Sequence, residues 1–280
     1  RLELRMDHPL VAREWPDRIS VPGSAGDELP GMVAETYRRP KSWAEGVAAM
    51  LRLQPRLTGR AQLIARALEA EFRLRLGDAR AWQRLRPMLD SGDRAEVAIA
   101  LDVLQVLERW EDVERESGAV LERLPGDRSL RFTRAAALER LDRMDEASAM
   151  FRALLDERPD DAQVANYLGY AWADRGLELD EAHRLLLGVV EREPGNPAYL
   201  DSLGWVLYRR GQLEEAERWL RRAVDAGGTD GTILAHLGEV LLRLGRVEEG
   251  RRLLQRALDL GPEDPDQVRS LLEENDAAGE

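Results

Sequence analysis

Few side chains in this 280-residue sequence have the chemistry of a reactive centre. Cysteine is absent, which removes disulfides, thiolate metal sites, iron–sulfur clusters and a cysteine nucleophile. The three histidines, His8, His183 and His236, share no helix face at i, i+4 spacing. Zinc needs three or four converging ligands, so neither a metal nor a cofactor is expected. Glu214–Glu215 and Glu248–Glu249 have the placement of first-turn acids, where carboxylates favour the helix dipole. There is no glycine-rich phosphate loop; the glycines mark turns and close helix contacts. What remains is a set of aromatics with an arginine, Tyr170, Trp205, Tyr208 and Arg209, and these residue types anchor interfaces.

Composition narrows the classes further. With 41 basic and 53 acidic groups the net charge is −12, which argues against a nucleic-acid backbone as partner. No run approaches the roughly 18 apolar residues of a membrane-spanning helix, so no direct membrane insertion is expected. Residues 1–60 carry a net +2, leaving the acidity to the rest, and Asn275 to Glu280 reads as a frayed acidic tail. Lys41 is the single lysine among the basic residues, an arginine excess that reads as coding bias of a GC-rich bacterial genome. The chain begins at Arg1 with no charged-then-apolar leader, as a processed chain or a piece of a longer one would.

The positioning elements follow from two rulers. Pro125, Pro159, Pro194 and Pro262 are separated by 34, 35 and 68 residues, and Gly228 marks the midpoint of the long interval. Gly169, Gly204 and Gly238 are spaced by 35 and 34. A repeat of this length is one helix–turn–helix unit. Glycine lets helix A of each unit approach helix B, the small Ala182, Ala216 and Ala223 do the same from the other side, and proline stops helix B. An extra residue near Leu177–Glu178 falls in an inter-helix turn, where insertion is cheap.

These residues match the tetratricopeptide pattern W-x2-L-G-x2-Y, A-x3-F, P position by position. Leu168-Gly169 is followed by Trp172, Ala182, Leu186 and Pro194; Leu203-Gly204 by Leu207, Ala216, Leu220 and Ala223; Leu237-Gly238 by Leu241, Gly250, Leu254, Ala257 and Pro262. An earlier unit keeps Ala147, Phe151 and Pro159 with Ala135 in the glycine place, and a decayed copy ends at Pro125. Residues 93–262 thus resemble tetratricopeptide repeat proteins. The strings at 165–223 and 235–246 are similar to the C-terminal repeats of bacterial envelope lipoproteins of that family. That likeness implies an adaptor that docks a C-terminal processing protease and presents envelope substrates, with a periplasmic or outer-membrane association. The alternative is a regulatory or assembly module of a larger cytoplasmic protein.

The expected fold is an all-α right-handed superhelix of about fourteen helices. Residues 1–40, rich in proline, form an irregular segment in which RLELRM at 1–6 carries a strand pattern. Residues 41–92 hold leading helices and one degenerate repeat, with Ser42 and Asp78 as caps. The array at 93–262 reads as repeats 94–127, 128–161, 162–196, 197–230 and 231–264. Residues 263–280 supply a capping helix, from Asp266 to Leu272, and the tail.

In the frame of the resemblance, helix A lines a concave groove. Its inward positions include Asn166, Tyr170, Asp201, Trp205, Tyr208, Arg209, Glu239 and Arg243. Framework packing asks for bulky residues at Leu168, Leu203, Leu207 and Leu220 instead, so the extra aromatics are expected to face a protein or peptide partner. Their alternative is packing on the neighbouring repeat. Relatives that grip a terminal carboxylate use lysines and asparagines here; Asn166, Asp201, Ala235, Trp205 and Glu239 offer no basic pair. The expected function is a non-catalytic scaffold, with any enzyme activity outside this chain.

Overall fold

The computed structural model of the chain describes residues 28–38 and 40–277. The strand pattern at 1–6 and His8 lie outside the described residues. Among those described there are fifteen α-helices, one more than expected, and no strand. The chain divides into two compact units, residues 1–147 and 148–280.

In the first unit, α1 (Leu29–Arg38) corrects the reading of residues 1–40 as irregular throughout. Pro30 and Gly31 suggested a loop, but proline in a first helical turn costs no hydrogen bond. Leu29, Val33, Ala34 and Tyr37 then recur at helical spacing and pack on α2 (Trp43–Leu53) and α3 (Gly59–Arg75) with Met50, Leu53 and Phe72. Gly46 is required in α2, because a Cβ there would lie 2.7 Å from the Phe72 ring. Ser42 stands at the N-cap of α2 but its side chain makes no capping bond. Asp78 does cap, accepting from the Arg80 N–H at 3.1 Å ahead of α4 (Trp82–Leu89). Leu85 and Leu89 share a core with Leu101 and Leu104 of α5 (Arg94–Val106) and Val113 and Val120 of α6 (Trp110–Arg123). The unit continues with α7 (Arg128–Arg140) into the first turn of α8 (Met144–Glu157).

The second unit continues from α8 with helix pairs α9 (Ala162–Arg175) and α10 (Leu179–Arg192), α11 (Pro197–Arg209) and α12 (Leu213–Asp225), and α13 (Gly231–Arg243) and α14 (Val247–Leu260). The closing helix α15 spans Pro265–Ala277. Asp161, Asn196 and Asp230 cap α9, α11 and α13 by accepting from backbone N–H groups two or three residues on. One joint recurs in each pair. A Cβ on Gly169, Gly204 or Gly238 would sit 2.8, 2.6 or 2.8 Å from the Cγ of Leu186, Leu220 or Leu254. Each A–B turn pivots on a left-handed residue, Gly211 and Gly245 in the later pairs. The longer α9–α10 turn uses two, Gly176 and Glu178, which is where the sequence placed its extra residue.

The arginine excess has structural uses beyond coding bias. Each of the six described tryptophans carries a guanidinium over its ring, from 4.2 Å for Arg222 on Trp219 to 5.9 Å for Arg209 on Trp205. Buried carboxylates also take arginines from separate helices. Glu71 holds Arg38 of α1 and Arg75 of α3, and Glu116 holds Arg86 of α4 and Arg115 of α6. In the second unit Arg221 bridges Glu217 and Glu249, and Arg246 reaches the same two carboxylates. Planar, bidentate arginine suits these shared sites better than lysine.

Candidate functional site

The helix-A residues singled out from the sequence converge on one face of α9, α11 and α13. They fall into a buried cluster and an open cleft. The cluster centres on His236. Its Nδ1 lies 2.9 and 3.0 Å from the two carboxylate oxygens of Asp201, and both residues are buried. The two positions are 35 residues apart, so neighbouring helices A bring them level.

Trp205 stacks on the His236 ring at 4.1 Å and meets Tyr208 at 5.0 Å; Tyr170 approaches His236 from α9 at 6.1 Å. Trp205 is only 4% exposed, so the expectation that its indole stands free for a ligand is corrected. The imidazole of the next helix A covers it, a contact that a single-repeat pattern does not register. Its Nε1–H is buried without an acceptor. Tyr208 donates its hydroxyl to Glu239 Oε1 at 2.6 Å, and Gln267 of α15 donates to Glu239 Oε2 at 3.3 Å. Arg209 donates to the Asp174 carbonyl of α9. Arg243 is exposed beside Tyr208.

Burial alone would lower the His236 pKa, but the charge and hydrogen bond of Asp201, with Glu239 and Asp174 behind them, outweigh it and raise the value. Burial, then the Glu239 hydrogen bond and charge, push the Tyr208 phenol up to about 12, with Arg243 opposing. An Asp–His pair is the orienting half of a hydrolytic triad. Here, however, Ser202 gives its hydroxyl to the Ala198 carbonyl at 3.0 Å and Trp205 covers the imidazole. The pair acts as a pin between helices. No group of three His, Asp or Glu side chains able to hold a metal occurs among the described residues. Nor is any described helix long and apolar enough to cross a membrane.

The cleft, about 690 Å³ in volume, lies beside the cluster. Asn166, Tyr170 and Asp201 line it, as does the loop Gly227–Asp230. Asn166 Oδ1 is buried with no hydrogen-bond partner among the described residues. The loop owes its path to Gly228 in the place of the usual repeat-closing proline, since a Cβ would meet the Ala223 carbonyl oxygen at 2.6 Å. The cleft was not legible in the sequence. The one departure from the proline ruler, at Gly228, was the signal for it.

Comparison with known proteins agrees with this architecture. Models of the tetratricopeptide repeat match residues 132–178 and 178–231, and another matches 207–274. A TPR repeat-containing protein of Pseudomonas aeruginosa is 37% identical over 93 residues, 33% of this chain. The chain spans only 16% of that relative's length. A tetratricopeptide repeat protein from Parabacteroides merdae superposes with a TM-score of 0.64 at 11% identity, over 89% of this chain and 98% of that one. A thermophilic TPR protein of Thermus thermophilus gives 0.54 at 22% identity, over 61% and 92%.

Proposed function

The chain belongs to the tetratricopeptide repeat family, and from that premise we propose that it is a scaffold that binds a protein or peptide on the helix-A face of α9, α11 and α13. The observation that carries this reading is the cleft beside the pinned aromatic cluster. It is open and lined by Asn166, Tyr170 and Asp201. Trp205 packs on His236 beside it, while Tyr170, Tyr208, Arg209, Glu239 and Arg243 extend the face along the helices. Pre-formed concave sites with a few convergent polar groups are the usual places for ligands.

The pathway assigned here is bacterial envelope proteolysis or assembly. It rests on the resemblance of residues 165–223 and 235–246 to envelope adaptors and on a bacterial relative. A photo-crosslinking residue at Gln163, exposed on α9, should capture a partner in a bacterial host, and the same residue at Arg218, exposed on α12, should not. Capture from Arg218 alone would move recognition to the helix-B face. Recovery of cytoplasmic assembly factors, and no envelope protease, would replace the pathway with the module reading.

A further inference from the structure

We propose that the cleft takes the cationic side chain, arginine or lysine, of an extended partner segment. This rests on the reading that the helix-A face binds a partner, and it adds the chemistry of that partner.

Charge complementarity fixes the choice. Asp230 and Glu263 contribute two carboxylates to the lining beside Asp201, whose charge is taken up by His236, and among the described residues the lining contains no lysine or arginine. A terminal carboxylate or a phosphate would meet like charge from Asp230 and Glu263. The neutral groups agree. Tyr167 and Tyr170 add two rings to the wall, and aromatic faces attract guanidinium and ammonium groups. Carboxylates and phenol rings together make a receptor for a donor-rich cation. They do so in a chain that elsewhere places an arginine over every described tryptophan. The Asp230 carboxylate accepts from the Thr232 N–H at 2.7 Å, and the Glu263 backbone N–H donates to Thr232 Oγ1 at 2.9 Å, which keeps the backbone of that residue beside the start of α13. The volume of about 690 Å³ falls in the range of sites that enclose a ligand, and leaves room for neighbouring residues of the segment.

The test uses the full chain and short glycine–serine peptides blocked at both ends. They carry two arginines, two lysines or two glutamates, and fluorescence anisotropy is read at low ionic strength. The arginine and lysine peptides should bind and the glutamate peptide should not. Asp230→Asn with Glu263→Gln, which keeps a competent cap at 230, should weaken the arginine peptide by about fivefold or more. The control Glu45→Gln with Glu122→Gln removes the same charge from exposed sites in the first unit and should leave binding unchanged. Equal losses in both double variants would mean diffuse attraction to an acidic protein and overturn the proposal, as would no binding or preferred binding of the glutamate peptide. Crosslinking at Gln163 reads separately. A partner captured there that the arginine peptide does not displace sinks the cationic segment and leaves the helix-A face standing.

Discussion

Replacing Asp201 by asparagine tests the pin at the centre of the site. The carboxylate is 6% exposed and spends both oxygens on His236 Nδ1, at 2.9 and 3.0 Å, under the indole of Trp205. The folded protein holds the His236 proton more tightly than the unfolded chain, because its pKa is raised. That stabilisation is complete below the unfolded value, about 6.5, and is lost as pH rises through the folded one; each pH unit between the two is worth about 1.4 kcal/mol. Asparagine keeps an acceptor for the neutral imidazole but supplies no charge, so burial then holds the proton off. Breaking a buried pair costs about 3–5 kcal/mol. At about 4 °C per kcal/mol for a unit of this size, the variant should melt roughly 12–20 °C lower near pH 5.5. The penalty should shrink toward pH 9, where the parent has also lost the imidazolium. Calorimetry across that range, with proton NMR of the His236 ring, reads both quantities. A penalty that is flat or grows with pH, or a parent His236 titrating at or below the ordinary histidine value, would refute the reasoning.

Three further outcomes follow from the geometry. Gly204→Val puts a branched side chain where even a Cβ would lie 2.6 Å from Leu220 Cγ and 3.2 Å from its backbone nitrogen. It should cost about 1–3 kcal/mol by thermal melting, and an unchanged melting point would contradict the joint. Trp205→Ala empties a position 4% exposed and uncovers His236; a loss of about 3–5 kcal/mol is expected by denaturant titration. Tyr208→Phe removes the donor of a 2.6 Å bond to Glu239, leaving a buried carboxylate with Gln267 alone. It should cost about 1–3 kcal/mol, and the parent's ultraviolet titration should show one phenol ionising near pH 12.

The array was legible because its signals are local. Pro125, Pro159, Pro194 and Pro262 each stand two residues past the last residue of a helix, and the glycine of each helix A faces a leucine sixteen or seventeen positions on. The first helix was hidden because Pro30 and Gly31 look like loop residues until Leu29, Val33 and Tyr37 find α2 and α3 to cover them. The site was half legible. Frame positions put Asn166, Tyr170 and Asp201 on one helix-A face, and all three line the cleft, whose existence the frame did not foretell. The fate of Trp205 depended on which side chain the next repeat sets opposite it, and His236 occupies a position whose equivalents in the other repeats are not histidine. Burial of this kind belongs to a pair of repeats and cannot be read from either one.

The glycine–leucine joints carry a consequence for how such a chain changes length. Removing residues 204–237 would splice Leu203 onto Gly238 in the same phase and leave Gly169 and Gly238 each opposite its leucine. Unequal recombination could therefore add or drop a whole helix pair without opening a gap in the stack. The same excision would delete Trp205, Tyr208 and His236 at a stroke and orphan Asp201. Copy number is free to drift along the joints, while the Asp201–His236 pin belongs to the seam where two unlike copies meet.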